Sequence, residues 1–173
     1  RTIRCHKTTG HGSQTFTETV MNSCNPAFIE WGRRVGVTSF YKYLGKLGLL
    51  SKTGIDVAGE ASTIIHKQEN VGEVELATMS FGQSFQITPM QMLRAATPHF
   101  GIRTVDDNNQ VIENFDYNIT ECAIEKETSN TMKDILRQVV ENGGGKHAYI
   151  EGFSIGGKTA TSQKLPRGSG KYI

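Results

Sequence analysis

The stretch FTETVMNSCNPAF, residues 16–28, contains the end of one predicted helix and the start of the next. Thr15, directly before it, and Glu18 have the spacing of a capping box, in which two side chains satisfy free backbone N–H groups at a helix start. Pro26 cannot continue that helix, but its fixed backbone angle suits the first turn of another. The stretch therefore predicts two consecutive helices with the tripeptide Ser23-Cys24-Asn25 at their junction.

Helix signals recur on both sides of a polar, loop-like region at residues 51–75. A third helix is predicted to begin near Thr38. The sequence TPMQ, residues 88–91, supplies a hydroxyl cap, a proline in the first turn and a glutamine three residues after the cap, which predicts a further helix. We expect Leu93 and Ala96 to form part of its buried face.

The second half of the chain combines strands with one long helix. Weak alternation of apolar residues around Asp107-Asn108-Asn109 predicts short strands joined by a turn within residues 102–124. Apolar residues at helical spacing predict an amphipathic helix over residues 128–142, and residues 153–163 are predicted to form a strand. The pattern indicates mixed α and β structure.

The overall composition is that of an ordinary globular domain. The 173 residues suffice for one domain with a hydrophobic core, and contents of 36% hydrophobic and 21% charged residues argue against disorder. The 19 basic and 17 acidic residues are interspersed, which argues against a nucleic-acid partner. No apolar run approaches the roughly 20 residues of a membrane-spanning helix, and no signal peptide is recognisable.

Both ends of the chain indicate a piece of a larger protein. The first residue is Arg1 rather than Met, and the final residues Lys171-Tyr172-Ile173 read like the beginning of a strand. We therefore expect a fragment or an excised domain.

Two short motifs carry the candidate chemistry. Ser23-Cys24-Asn25 lies at the predicted helix junction, and GKTAT, residues 157–161, lies on the predicted strand, with Lys158 133 positions after Asn25. Taken alone, an Asn before a proline is most often a helix cap, and a Lys-Thr pair on a strand is most often solvated surface. Together they match the second and third parts of the serine acyltransferase signature of penicillin-binding proteins and β-lactamases.

Five segments, in family order, resemble the transpeptidase domain of class B penicillin-binding proteins, most closely the division and sporulation branch of Gram-positive bacteria. They are CHKTTGHG (5–12), FTETVMNSCNPAF (16–28), GIDVAGEA (54–61), ELATMSFGQSFQITPMQML (75–93) and GGKTATSQK (156–164). The resemblance covers nearly the whole chain, so residues 1–173 are expected to be a partial transpeptidase domain. It implies an α/β (α+β) fold of the penicillin-binding protein and β-lactamase type, with helices flanking a mainly antiparallel sheet that is incomplete here.

The resemblance also implies the activity of a D,D-transpeptidase, which cross-links peptidoglycan stem peptides and binds β-lactams. A serine would attack the carbonyl of a D-Ala-D-Ala stem peptide or a β-lactam and form an acyl-enzyme. The Ser23 hydroxyl would lie in the proton relay between the nucleophile's lysine and the leaving amine, and the Asn25 carboxamide would bind the substrate's amide. This chemistry requires no cofactor. It would take place outside the cytoplasmic membrane, to which the parent protein would be anchored.

The resemblance assigns substrate binding to GKTAT, residues 157–161. Lys158, Thr159 and Thr161 would bind the substrate's terminal carboxylate, because a cation with neighbouring hydroxyls suits that anion. The substrate would lie antiparallel along this strand, and the backbone N–H of Thr161 would be one oxyanion donor. Ala160 stands where the family normally has glycine, so its methyl group would crowd the substrate unless the strand directs it away.

The family's remaining motif, Ser-x-x-Lys, supplies the nucleophile and would lie upstream of Ser23. The sequence SFYK, residues 39–42, has that spacing, but it follows Ser23-Cys24-Asn25 instead of preceding it and falls inside a predicted helix, so we interpret it as helix surface. We expect the chain to be inert alone and completed by a missing N-terminal part of the same protein. The alternative is a non-catalytic penicillin-binding-like module for assembly or sensing. A β-lactamase is disfavoured, because nothing resembles a deacylating glutamate loop.

Cys5 and Cys24 flank the expected site, and three interpretations of them are open. They are small buried hydrophobic residues, partners in a disulfide that acts as a redox switch, or zinc ligands together with a histidine. His6 stands where relatives usually have tryptophan, which makes it the more pointed ligand candidate, and His11 is the alternative. The candidate metal ligands are therefore Cys5, His6 and Cys24, with a fourth ligand from elsewhere.

Overall fold

The computed structural model describes residues 3–96, 103–115 and 122–161. The helices and strands in chain order are α1 (Phe16–Met21), α2 (Asn25–Lys46), α3 (Glu73–Ser80), α4 (Pro89–Ala96), β1 (Arg103–Val105), β2 (Val111–Asn114) and α5 (Lys126–Glu141). Within the described parts of the chain, none of the helices combines the length and apolar character needed to cross a bilayer. The chain divides into two compact units. The first comprises residues up to Phe40, Ile65–Phe85 and residues from Ile124, and the second comprises Tyr41–Ile64 and Gln86–Ala123.

The first unit begins with the capping box that the sequence predicts. The Thr15 backbone N–H donates to Glu18 Oε2 at 2.7 Å, and the Glu18 N–H donates to Thr15 Oγ1 at 3.2 Å. Hydrogen bonds from the Thr15 backbone and hydroxyl lower the pKa of Glu18, because they stabilise its charged form. The helix therefore begins where each of two residues, three positions apart, accepts the other's backbone N–H with its side chain.

Helix α2 starts at Asn25 and is interrupted at Gly36, where φ is 74°. Only glycine adopts this left-handed conformation without a steric penalty, so the chain changes direction there and resumes a helix. The third helix predicted to begin near Thr38 is thereby confirmed: it is the part of α2 that follows the kink at Gly36.

The core of the first unit joins α1 to α5. Val20, Ile135 and Val139 form a buried apolar cluster. Partly buried apolar side chains that pack against this cluster are Met21, Phe28, Trp31 and Met132. The long amphipathic helix predicted over residues 128–142 is confirmed as α5, within two residues at either end.

Helices α2 and α3 approach each other closely at Gly32. A Cβ atom at Gly32 would lie 1.7 Å from Ser80 Oγ and 2.7 Å from Ser80 Cβ. Helix α3 itself was not predicted from the sequence, although Gly72 and Glu75 cap its start, with Gly72 N–H donating to Glu75 Oε2 at 3.0 Å. The absence of a side chain at Gly32 is therefore what allows this helix crossing.

We expect Gly32→Ala to lower the free energy of unfolding by about 1–3 kcal/mol, the usual cost of overpacking. Gly45→Ala is the matched control on the same helix, because the nearest atom to its added Cβ lies 3.9 Å away. Urea denaturation of both variants measures the difference. The double variant Gly32→Ala/Ser80→Gly should recover most of the loss, and equal stability of Gly32→Ala and the original protein would contradict this crossing.

In the second unit, the buried face of α4 is formed by a polar residue instead of the apolar residues that the sequence predicts. Gln91 on α4 is fully buried, whereas Leu93 is half exposed and Ala96 is exposed, so the prediction that Leu93 and Ala96 form the buried face was wrong. The Gln91 carboxamide donates to Ser51 O and Thr63 Oγ1, both at 2.7 Å. A buried amide is stable only when it is hydrogen-bonded, and the loop supplies these partners.

The start of α4 and the strands nearby agree with the sequence. Thr88 N–H donates to Gln91 Oε1 at 2.8 Å and Gln91 N–H to Thr88 Oγ1 at 3.1 Å, a second reciprocal cap. Strands β1 and β2 form an antiparallel hairpin. Its turn is held by Asp106 Oδ1, which accepts the backbone N–H groups of Asn108 and Gln110.

The strand predicted over residues 153–163 is not formed in the described part of that range, residues 153–161. This stretch lies beside α5 instead, with Gly157 N–H donating to Leu136 O at 3.2 Å. A strand needs a neighbouring strand for its backbone hydrogen bonds, and the described residues place a helix there. Residues 162 and 163 lie outside the described part of the chain.

Candidate active site

The turn after α1 places Ser23 in an uncommon backbone conformation. Its φ is 49°, in the left-handed region that residues with a side chain rarely adopt. The backbone N–H groups of Ser23 and Cys24 donate to Val20 O and Thr19 O, both at 3.2 Å, which holds the turn against the end of α1. The next helix therefore begins at Asn25 with the Ser23 side chain only partly buried.

Lys158 meets Ser23 although 135 positions separate them. Its Nζ donates to Ser23 Oγ at 2.8 Å and to Thr159 O at 2.9 Å. A weaker contact of 3.4 Å reaches Thr159 Oγ1. The two motifs singled out in the sequence thus meet through a hydroxyl and an ammonium group.

Glycines bring the segment before Lys158 onto α5. A Cβ at Gly156 would lie 3.2 Å from Leu136 Cβ, and one at Gly157 would lie 3.4 Å from Val140 Cγ2. The absence of side chains at these two positions lets the backbone pack directly against α5. This contact sets the position of Lys158, the next residue, relative to the helix.

Partial desolvation lowers the pKa of Lys158, because removal from water disfavours the charged ammonium form. The ammonium donates to Ser23 Oγ, so the proton of the Ser23 hydroxyl is left free for a third group.

The other predicted site residues lie in the same two segments. Asn25 is partly buried at the first turn of α2, and Thr159, Ala160 and Thr161 are exposed. The Ala160 methyl group therefore occupies no place in the protein's own core.

The sequence SFYK, residues 39–42, lies within α2, as predicted. Lys42 is exposed and Ser39 is partly buried, but Tyr41 is buried, so the interpretation as helix surface was wrong for Tyr41.

A cluster of thiols and an imidazole lies behind this turn. One ligand atom each from Cys5, His11 and Cys24 lies within 4.8 Å of the other two. Cys5 Sγ is 3.5 Å from His11 Nδ1 and 3.6 Å from His6 Nδ1. His6, the ligand expected from the sequence, is not a member of this three-residue group. The histidine that the structure brings to the two cysteines is His11, the alternative.

Burial, with smaller contributions from the positive charges of Lys7 and His6, lowers the pKa of His11. All three cysteines are free thiols, with Cys24 buried, Cys5 partly buried and Cys122 exposed. No signal in the sequence favoured His11 over His6, because Gly-His-Gly at residues 10–12 is usual in the family that the chain resembles without any metal.

The contact between α1 and the turn after α5 can be tested with two adjacent glycines. A Cβ at Gly143 would lie 2.9 Å from Val139 O and 3.2 Å from Met21 Cβ, whereas one at Gly144 would meet nothing closer than 3.8 Å. We expect Gly143→Ala to reduce unfolding free energy by about 1–3 kcal/mol, with Gly144→Ala much closer to the original protein. Chemical denaturation measures both, and a larger loss for Gly144→Ala would contradict the geometry.

Comparison with known proteins agrees with this arrangement. The family of the penicillin binding protein transpeptidase domain matches residues 1–173. This chain therefore belongs to the penicillin-binding protein transpeptidase family. The mixed helical and antiparallel architecture is also that of a solved structure, penicillin binding protein 3 from Mycobacterium tuberculosis complexed with ampicillin, with a TM-score of 0.81 at 24% identity over 92% of this chain and 39% of that one.

Two curated relatives are similar in sequence. Stage V sporulation protein D of Bacillus subtilis is 38% identical over 99% of this chain. The probable peptidoglycan D,D-transpeptidase PenA of Neisseria meningitidis is 26% identical over 86% of the chain. The chain spans 28% of the length of the first relative and 26% of the second.

Proposed function

We propose that this chain forms the substrate-binding and proton-relay part of a peptidoglycan D,D-transpeptidase that also binds β-lactams. The observation that carries the proposal is the 2.8 Å hydrogen bond from Lys158 Nζ to Ser23 Oγ. This bond joins the hydroxyl proposed for the proton relay to the cation proposed to bind the substrate's carboxylate. The two groups therefore lie close enough to act on one substrate of a serine acyl transfer.

In the proposed reaction, a serine oxygen attacks the carbonyl of the penultimate D-Ala and forms an ester. The C–N bond to the terminal D-Ala breaks, and the proton that the attacking serine loses passes through the Ser23 hydroxyl to the leaving amine. The amine of a second stem peptide then attacks the ester, and its proton returns by the same route to the serine oxygen as the ester C–O bond breaks. Lys158 supports the relay by donating to Ser23 Oγ at 2.8 Å, which orients the hydroxyl and leaves its own proton free for transfer.

Lys158, Thr159 and Thr161 would also bind the substrate's terminal carboxylate. Thr159 and Thr161 are exposed, so their hydroxyls are accessible to an incoming peptide. Asn25, two residues after Ser23, would bind the substrate's amide. We assign no role to a cofactor in this chemistry.

The nucleophile would come from a Ser-x-x-Lys segment outside these 173 residues. The one match to that spacing, residues 39–42, lies on helix α2. The substrate class implies that the reaction takes place outside the cytoplasmic membrane. The similarity to a sporulation protein of Bacillus subtilis favours a sporulation role over other uses of the same reaction.

The source of the nucleophile can be tested by intact mass spectrometry after exposure to benzylpenicillin. We expect no covalent adduct on the 173-residue chain, and one acyl group on a longer protein that adds the upstream segment. An adduct on the shorter chain would contradict an external nucleophile. A longer protein that contains Ser-x-x-Lys, folds and stays unacylated would instead support the alternative of a non-catalytic assembly or sensor module.

The role of Lys158 can be tested in the longer protein with Lys158→Met. Loss of a hydrogen bond to a charged group typically costs about 1.5–3 kcal/mol, so we expect β-lactam acylation to slow by roughly 10- to 150-fold. Lys133→Met, which removes an exposed lysine from α5, is the matched control and should leave the rate unchanged. Stopped-flow measurement with a chromogenic β-lactam gives both rates, and equal slowing in the two variants would remove Lys158 from the site.

A further inference from the structure

We propose that Cys5, His11 and Cys24 bind one zinc ion. One ligand atom from each residue lies within 4.8 Å of the other two, so a single ion can reach all three after small side-chain rotations. Two thiolates and an imidazole are a ligand set that zinc prefers over hard, oxygen-seeking cations. The site would be separate from the groups that handle the substrate, although Cys24 is next to Ser23 in sequence.

The distances around Cys5 fit tetrahedral zinc. With Zn–S of about 2.3 Å and Zn–N of about 2.0–2.1 Å, ligand atoms at a tetrahedral angle are separated by about 3.5–3.6 Å. Cys5 Sγ lies 3.5 Å from His11 Nδ1. The sulfur and nitrogen therefore already have the separation that a shared ion would impose.

The backbone supplies a reason for the position of His11. Gly10 and Gly12 have φ values of 75° and 68°, and Gly10 N–H donates to Lys7 O at 2.9 Å in a tight turn. Nothing lies within 4 Å of a Cβ built on either glycine, so backbone conformation rather than space requires them. This turn returns the chain so that the His11 imidazole faces the Cys5 thiol.

The other interpretations of the two cysteines account for less of the geometry. Packing as small hydrophobic residues explains the burial of Cys24, and hydrogen bonds explain the 3.5–3.6 Å distances from Cys5 Sγ to the two imidazole nitrogens, but neither requires Cys24 to lie with Cys5 and His11. A disulfide would join the two sulfurs and would not involve His11. A three-residue zinc site uses both thiols and the imidazole, and leaves a fourth position for water.

The consequence for the neighbouring site follows from connectivity. Cys24 lies between Ser23 and Asn25, and its carbonyl accepts the N–H groups of Ala27 and Phe28 at 3.1 Å at the start of α2. An ion bound to Cys24 would tie the loop at residues 5–12 to this turn. Zinc would thus act as a structural brace behind the turn, comparable to a cross-link that can be removed.

Zinc content is measured by inductively coupled plasma mass spectrometry on protein purified without added metal. We expect about one zinc per chain, and a loss of more than about tenfold in Cys5→Ser, Cys24→Ser and His11→Gln, since removal of even an outer-shell partner weakens metal affinity by 10- to 100-fold. Cys122→Ser and His147→Gln are matched controls, because both residues are exposed, and they should keep the metal. His6→Gln should also keep it.

Several results would overturn the proposal. These are a zinc content near zero with three titratable thiols, a disulfide between Cys5 and Cys24 found by peptide mapping, or loss of zinc in His6→Gln but not in His11→Gln. If the cysteine variants fail to fold by circular dichroism, cobalt added to metal-free original protein is the second measurement. A thiolate-to-cobalt charge-transfer band that is absent in His11→Gln supports the site, and its absence from the original protein refutes it. None of these measurements depends on transpeptidation, so the zinc site and the proposed activity can fail separately.

Discussion

The packing of α1 on α5 is the constraint on which the site depends. Val20 on α1 is buried with Ile135 and Val139 on α5. Burying one side chain of this size contributes about 1.5–3 kcal/mol, and three such side chains are buried in this cluster, whereas a single hydrogen bond to a charged group contributes about 1.5–3 kcal/mol. The apolar contact therefore sets the distance between the turn after α1 and the segment after α5. The bond between Ser23 and Lys158 is a consequence of that packing rather than its cause.

Local sequence rules predicted the parts of the fold whose partners are close in the chain. Both capping boxes formed, because each needs only two side chains three residues apart. Helix α5 formed as predicted, because its apolar stripe is continuous. Helix α3 was missed and residues 153–161 were assigned wrongly, because their neighbours in space are distant in sequence. Gln91 shows the same limit, since the loop acceptors that allow its burial lie 28 or more positions away.

More of the candidate site was predicted than periodicity and composition alone support. No periodicity links Ser23 to Lys158, and only the resemblance to a family connects the two residues at the level of sequence. The histidine was harder to choose. A departure from the usual tryptophan pointed to His6, and its ring does lie near Cys5. The turn at Gly10 and Gly12 is what brings His11 within reach of both Cys5 and Cys24, and the geometry of that turn cannot be read from composition.

The conformation of Ser23 implies a compromise between folding and chemistry. A residue with a side chain at φ 49° carries a backbone penalty of about 1–3 kcal/mol that glycine would largely avoid. Selection for robustness alone would therefore favour glycine at this corner. The serine that occupies this corner instead provides the oxygen to which Lys158 donates at 2.8 Å, so the contact between the two motifs is made at a cost in backbone conformation.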